Sequence, residues 1–453
     1  MRRVSALACL TLAATAVAAF VPGPGSEDAP PGLVVVAPRD WCANSAMLDL
    51  ITERAHEGFV VSALALEDLA DKPGADAPER LKRVLYRGWR EENVRYVLLA
   101  GDADVVPVRF MMLDRATAAA HDTAFYASDL YYADVADAAG GFEDWNARTD
   151  GHHARYFGEV HGETHKADAV DQDGAHYLPE LAVGRWPVSS EEELAAVIRK
   201  TLAYGAGAKE PHALAVHAAE WVDARPLVGR LSDALACAGF AVERQLFGGA
   251  DGLPTTASVR AALLARPGLA LHVGHGSHEG WNLCLGPEDR DALSAAAPSI
   301  FLSVGCSTAH LCNEPPYEAY LDADGAEHAG TGGGEVFTAP PPPPAALQPG
   351  RFDSTGLGER LLRSPGGGAV VYIGCGTGAQ PCALTLLEGF AEALAAEPDA
   401  RLGDAWNAAL RRFHAQEKLA ELVPTESWYP PSIFFQGMKF LFLGDPTLRL
   451  TPR

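Results

Sequence analysis

Two short segments of this sequence hold residues able to do covalent chemistry. One is Gly274-His275-Gly276 and the other is Gly305-Cys306; each follows an apolar run, Leu269-Ala-Leu-His-Val273 and Ile300-Phe-Leu-Ser-Val304. A cysteine reacts as its thiolate, and a free thiol has a pKa of about 8.5, so an imidazole that takes the proton makes it a nucleophile near neutral pH. The same imidazole can return the proton to a leaving amine. The chemistry such a pair supports is acyl transfer through a thioester. The residues lie 31 positions apart (306 − 275), room for one crossover connection. The two runs can therefore be neighbouring parallel strands whose carboxyl ends open on one edge of a sheet. Gly274, Gly276 and Gly305 permit close approach of backbone and substrate, and the N–H groups of Gly276 and Cys306 are candidate oxyanion donors. Taken singly, His275 is equally a turn histidine and Cys306 a small buried hydrophobe. Their joint placement favours the catalytic reading. Cys375, in Ile373-Gly374-Cys375, follows the same kind of run. Residue types alone do not exclude it, but it lies beyond a proline-rich stretch, whereas Cys306 is one crossover from His275.

The elements that would position these residues alternate. Gly32-Leu-Val-Val-Val-Ala37, Gly58-Phe-Val-Val-Ser62 and Val94-Arg-Tyr-Val-Leu-Leu-Ala100 read as buried strands, with helical stretches over 45–57 and 78–91. An excursion over 131–177, rich in Gly, Asp, His and Ala, interrupts the pattern. It resumes with strands or helices near 181–183, 191–204, 212–221, 226–238, 241–247, 368–373, 384–395, 403–416 and 439–443. Such alternation implies an α/β fold with a mostly parallel sheet. The expected organisation is a signal peptide over 1–19, a smaller α/β subdomain over 30–175 ending in the irregular excursion, and a catalytic subdomain over 176–453. The last carries a loop-like insertion near 313–350 with Gly332-Gly333-Gly334 and the run Pro340 to Pro344, which must be extended.

Composition narrows the function classes. The net charge of −23, with no basic block, argues against nucleic-acid binding, because phosphate contacts need Lys and Arg. Arg2 and Arg3, the apolar run from Val4 to Ala19, and Ala16-Val17-Ala18 have the form of a cleavable signal. A secreted or periplasmic location is therefore expected. Cys9 stands too early in that run to be a lipid attachment site, and no later segment has the roughly 20 apolar residues of a membrane helix. Seven of the eight cysteines lie beyond the signal. An odd number in an exported chain leaves at least one thiol free, and the absence of CxxC pairs argues against structural zinc.

At this point the residues resemble a family. Gly274-His275-Gly276-Ser277 and Val304-Gly305-Cys306-Ser307-Thr308 look like the His and Cys motifs of the gingipain-type cysteine peptidases. Tyr96-Val-Leu-Leu-Ala-Gly-Asp102 with Val106-Pro107, Ser128-Asp129-Leu-Tyr-Tyr-Ala-Asp134, Pro179-Glu180-Leu-Ala-Val-Gly-Arg185 and Leu443-Gly-Asp-Pro446 resemble further blocks of that family in the same order. The resemblance implies a caspase-like three-layer sandwich, His275 as base and Cys306 as nucleophile. It also implies that Glu180 orients His275, as a carboxylate does in many such sites. The segment holding Cys375 and Gly376 resembles the strand that lines the substrate pocket, and Trp428 is a candidate wall of the same pocket. There are departures. The family's calcium-binding stretch would fall after Asp134, but Asn146-Ala-Arg-Thr-Asp150-Gly151 puts Arg148 where a carboxylate would help. The expectation is no cofactor, with calcium in a structural role only. The proline-rich insertion has no counterpart, and the family's carboxy-terminal secretion and adhesin modules are not expected.

The expected function is that of an exported cysteine endopeptidase acting on protein or peptide substrates. Two other readings stay open: a catalytically silent caspase-like module that binds peptides or partners, and a nucleotide-dependent enzyme using Gly374-Cys375-Gly376-Thr377-Gly378. The latter lacks the GxGxxG spacing. His152, His153, His161, His165 and His176 crowd the excursion with Glu159 and Glu163, but no zincin spacing occurs, so a polar surface loop is expected.

Overall fold

A computed structural model describes residues 29–113, 124–145, 156–159, 175–207, 211–294, 297–332, 341–423 and 429–450. The signal peptide, the histidines at 152, 153, 161 and 165, Asn146 to Gly151, Gly333, Gly334, Pro340 and Trp428 lie outside the described residues.

Ten strands form one sheet: β1 (Gly32–Ala37), β2 (Val60–Ala65), β3 (Val94–Ala100), β4 (Ala182–Trp186), β5 (His212–His217), β6 (Ala241–Leu246), β7 (Leu269–Val273), β8 (Ser299–Val304), β9 (Ala369–Cys375) and β10 (Phe440–Gly444). Their spatial order is β2-β1-β3-β4-β10-β9-β8-β7-β5-β6. Neighbours run parallel except β9 and β10, which are antiparallel. The sheet therefore consists of two parallel halves of five strands that point in opposite directions. The boundary expected near residue 175 does not coincide with a break in this sheet. β4 pairs with β3, so it belongs with the amino-terminal half, and the last strand β10 joins that half too.

Most strands are apolar nearly throughout because both faces are covered. In β1, Val34 and Val36 enter one core and Leu33, Val35 and Ala37 the other, the two-residue alternation of a pleated strand. In β8, Ile300, Leu302 and Val304 face the first of these cores and Phe301 the opposite face of the sheet. Helices α1 (Ser45–His56), α2 (Ala77–Glu91), α3 (Glu191–Gly205), α4 (Arg225–Cys237), α5 (Thr256–Leu264), α6 (Leu357–Arg363), α7 (Leu384–Ala396) and α8 (Leu402–Gln416) supply the outer layers. Asn44, Asp76, Ser190 and Thr255 cap α1, α2, α3 and α5 by accepting backbone N–H groups. The proline-rich stretch lies along the body. Its carbonyls at Pro341 and Pro342 accept from the Tyr156 and Tyr320 hydroxyls, and Ala346 accepts from Val108 N–H. Proline lacks a donor but keeps its acceptor. No disulfide joins the seven described cysteines, and no helix among the described residues is long and apolar enough to cross a membrane.

Candidate active site

β7 and β8 are hydrogen-bonded neighbours in parallel, with Val273 opposite Val304. Both strands end at the same edge, and the glycines after them pack backbone to backbone. A Cβ added at Gly276 would lie 3.0 Å from the Cys306 carbonyl and 2.5 Å from the Thr308 methyl; one added at Gly305 would lie 3.3 Å from the Gly276 backbone. Only glycine allows the His275 and Cys306 turns to approach this closely. Ser307 then takes a left-handed conformation (φ 53°) and donates its N–H to Thr377 O at 2.7 Å. The Cys306 thiol is half-buried, and the Ala379 N–H points at its sulfur at 3.4 Å. Nothing in the pattern of apolar runs pointed to Ala379.

His275 is exposed, and its Nε2 lies 2.8 Å from Glu220 O. A carbonyl can only accept, so Nε2 carries the proton and Nδ1 holds the lone pair available to a thiol. Glu220 sits just past β5, which flanks β7, and it adopts a left-handed backbone (φ 75°) that turns its carbonyl toward the imidazole. The buried His217 ties this loop down with both ring nitrogens: Nδ1–H donates to Val273 O at 3.0 Å and Nε2 accepts Ala224 N–H at 2.9 Å. Burial holds the His217 pKa below its usual value, in keeping with a ring that must accept through Nε2. Within β7, His272 stacks on Trp281 at 4.4 Å, meets Ser303 Oγ at 2.9 Å and is pushed down to about 3 by burial, with His217 adding to the effect.

Glu180 does not hold His275 here. It precedes β4, four strand positions from β7, or about 19 Å at ~4.8 Å per strand. Its carboxylate accepts the N–H groups of Val135 and Ala136. Because the two halves of the sheet run in opposite directions, the start of β4 shares an edge with the end of β7, but at a distance. Asp134, Glu143 and Glu180 converge instead on His176, at 3.1, 3.5 and 3.9 Å. Lys82, fully buried over the Tyr131 and Trp145 rings, adds a second cation. Burial would lower the His176 pKa, but the Asp134 hydrogen bond and the three carboxylate charges outweigh it and raise the pKa to about 9. This cluster carries its own countercharge.

Cys375 is also placed differently from expectation. It is fully buried in β9 and burial pushes its thiol up to about 12, so it forms core. Gly376 and Thr377, just beyond it, do line a small depression with Phe125, Tyr126, Glu314 and Leu441. A larger cleft starts at His275 and Gly276 and runs along residues 279–287. For a hard cation, the Asp102, Asp104 and Asp353 carboxylates lie within 4.8 Å of one another. Glu359, fully buried alongside, has one oxygen without a hydrogen-bond partner among the described residues. An all-oxygen set of this kind suits calcium, although Arg363 already pairs with Asp102.

Two solved structures share the fold. One is "Complex of Porphyromonas gingivalis RgpB pro- and mature domains", 15% identical with a TM-score of 0.58, the match covering 92% of this chain and 79% of that one. The other is "Structure of Protease", 17% identical with a TM-score of 0.57, covering 93% and 78%. No curated protein sequence matches. The family model described as Peptidase family C25 matches residues 26–451. The fold is caspase-like, and the chain belongs to peptidase family C25, the gingipain-type cysteine peptidases.

Proposed function

We propose that this cysteine peptidase is an exported endopeptidase in which Cys306 attacks the scissile carbonyl and His275 moves the proton. The observation that carries the reading is the contact between the two turns at the ends of β7 and β8, with the His275 tautomer set by Glu220 O. Nδ1 of His275 takes the thiol proton as sulfur bonds to carbon. The N–H groups of Gly276 and Cys306 are the proposed donors to the oxyanion. The C–N bond breaks as His275 returns the proton to the amine, and water then cleaves the thioester through the same imidazole. The acyl side of the substrate occupies the pocket of Gly376 and Thr377, with protein or peptide as substrate.

No step uses a metal. Apart from the family's calcium-binding stretch, Asp102, Asp104 and Asp353 form a set among the described residues that would hold a calcium ion in a structural role. Export rests on the sequence of residues 1–19. Mass spectrometry of the natively secreted protein should find a start near Ala19, and an intact Met1 would refute removal. The catalytic proposal is tested with a mixed peptide library. Cleavage should vanish in Cys306→Ala at unchanged thermal stability; cleavage that persists would overturn it. A zinc chelator should leave activity intact.

A further inference from the structure

The departing amine must be protonated by the group that carried the nucleophile's proton, so the leaving side of the scissile bond lies on the imidazole's side of the sulfur. Two depressions adjoin the turns that bear Cys306 and His275, one through Thr377, which accepts the Ser307 N–H, and one through His275 and Gly276, and they are thereby told apart. The pocket of Gly376 and Thr377 lies toward β9, away from His275. The cleft that begins at His275 lies beyond the imidazole and takes in Gly276, Glu279, Gly280, Leu283 and Pro287.

Leu283 is unusual in that cleft. It is 49% exposed and holds a left-handed backbone (φ 62°) that leucine rarely adopts. The turn that presents it is rigid: Asn282 N–H donates to His275 O at 2.9 Å, and Cys284 and Leu285 N–H both donate to Trp281 O. Trp281 is itself pinned, stacked on His272 and donating to the Tyr372 hydroxyl at 3.0 Å. An apolar side chain is thus held out into a cleft one residue from a hydrogen bond to the catalytic histidine's own carbonyl. Exposed Glu279 gives the rim a negative charge.

We infer that this cleft receives the residues on the leaving side of the scissile bond and selects an apolar, non-acidic side chain there, with Leu283 as the specificity-determining contact. The inference rests on the peptidase reading. It is tested with peptides that share one acyl part and carry Leu, Ala or Glu in the first two positions after the scissile bond. A second readout is the partition of the thioester between water and added Leu-amide or Glu-amide. There the amine attacks the carbonyl, the C–S bond breaks, and the amine's proton returns to sulfur through His275. The wild type should prefer Leu over Glu by at least about tenfold in both assays. Leu283→Asn, which tolerates the left-handed backbone, should reduce that preference to about threefold or less. Glu279→Gln should improve the Glu peptide alone, and it carries the test should Leu283→Asn fail to fold. Cys306-dependent cleavage whose preference is the same in the wild type and both variants overturns the inference while leaving the peptidase reading intact. Cleavage that survives in Cys306→Ala overturns the peptidase reading instead.

Discussion

Two thiols stand after apolar strands, and their surroundings separate them. Cys306 is half-buried, beside the His275 turn and under the Ala379 N–H, whereas Cys375 is enclosed with its thiol pushed up to about 12. Limiting iodoacetamide should therefore label Cys306 and spare Cys375, as read by peptide mapping. His275→Ala should slow that labelling and lower kcat by about 10²–10⁴-fold, the usual worth of a general base. The third residue is a backbone matter. If the Glu220 carbonyl orients His275, Glu220→Asn should keep most activity, because Asn accepts a positive φ. Glu220→Val, β-branched at a φ of 75°, should lose it. Equal loss in both variants would assign the role to the Glu220 side chain instead. Glu180→Gln should leave the alkylation rate of Cys306 unchanged.

At the scale of elements, the end of β7 is held through its neighbour. His217 closes β5 and bonds both Val273 and Ala224, so it couples the strand bearing His275 to the loop bearing Glu220. Replacing it by Phe removes both bonds, leaving Val273 O with only the Ala218 N–H and Ala224 N–H with only Val222 O, at about 0.5–1.5 kcal/mol for each bond lost. The expected result is a lower unfolding midpoint in urea together with a reduced kcat. Because its folded pKa is depressed, the stability His217 contributes is present above the unfolded value of about 6.5 and is lost as pH falls below it. An acid-side loss of activity that is absent from the Phe variant would identify this group.

Across the whole molecule, charge is balanced inside the fold. His176 joins the turn after Asp134 to the segment entering β4, and its pKa is raised to about 9. A raised histidine stabilises fully below its unfolded value of about 6.5 and loses that contribution as pH rises through about 9. The shift corresponds to at most about 3 kcal/mol, at 1.36 kcal/mol per unit. The melting temperature should therefore decline between pH 7 and 10, and His176→Gln should flatten that decline. The Asp102, Asp104 and Asp353 carboxylates join the β3 turn to the segment before α6. Millimolar calcium should raise the melting temperature, and Asp353→Asn should abolish that response without changing Cys306 alkylation.

Strands β1, β3, β7, β8 and β9 were legible because a strand covered on both faces must be apolar almost throughout, and α/β order follows from alternation. His275 and Cys306 were legible for a related reason: a reactive side chain flanked by glycine, after such a run, has few other places to be. The rest depended on pairing between distant segments. Glu180 stands in a conspicuous motif, yet linear order does not say that β9 and β10 run antiparallel, which puts Glu180 on the right edge but four strands away. Glu220 looks like any surface acid, because what matters is a left-handed carbonyl on a neighbouring strand's loop. Cys375 and Cys306 share a local context, and only packing buries one of them. The sequence alone determined the α/β layering and which histidine and cysteine follow neighbouring strands. Tertiary structure decided which groups orient that pair, because strand order and direction are set by contacts between segments far apart in the chain.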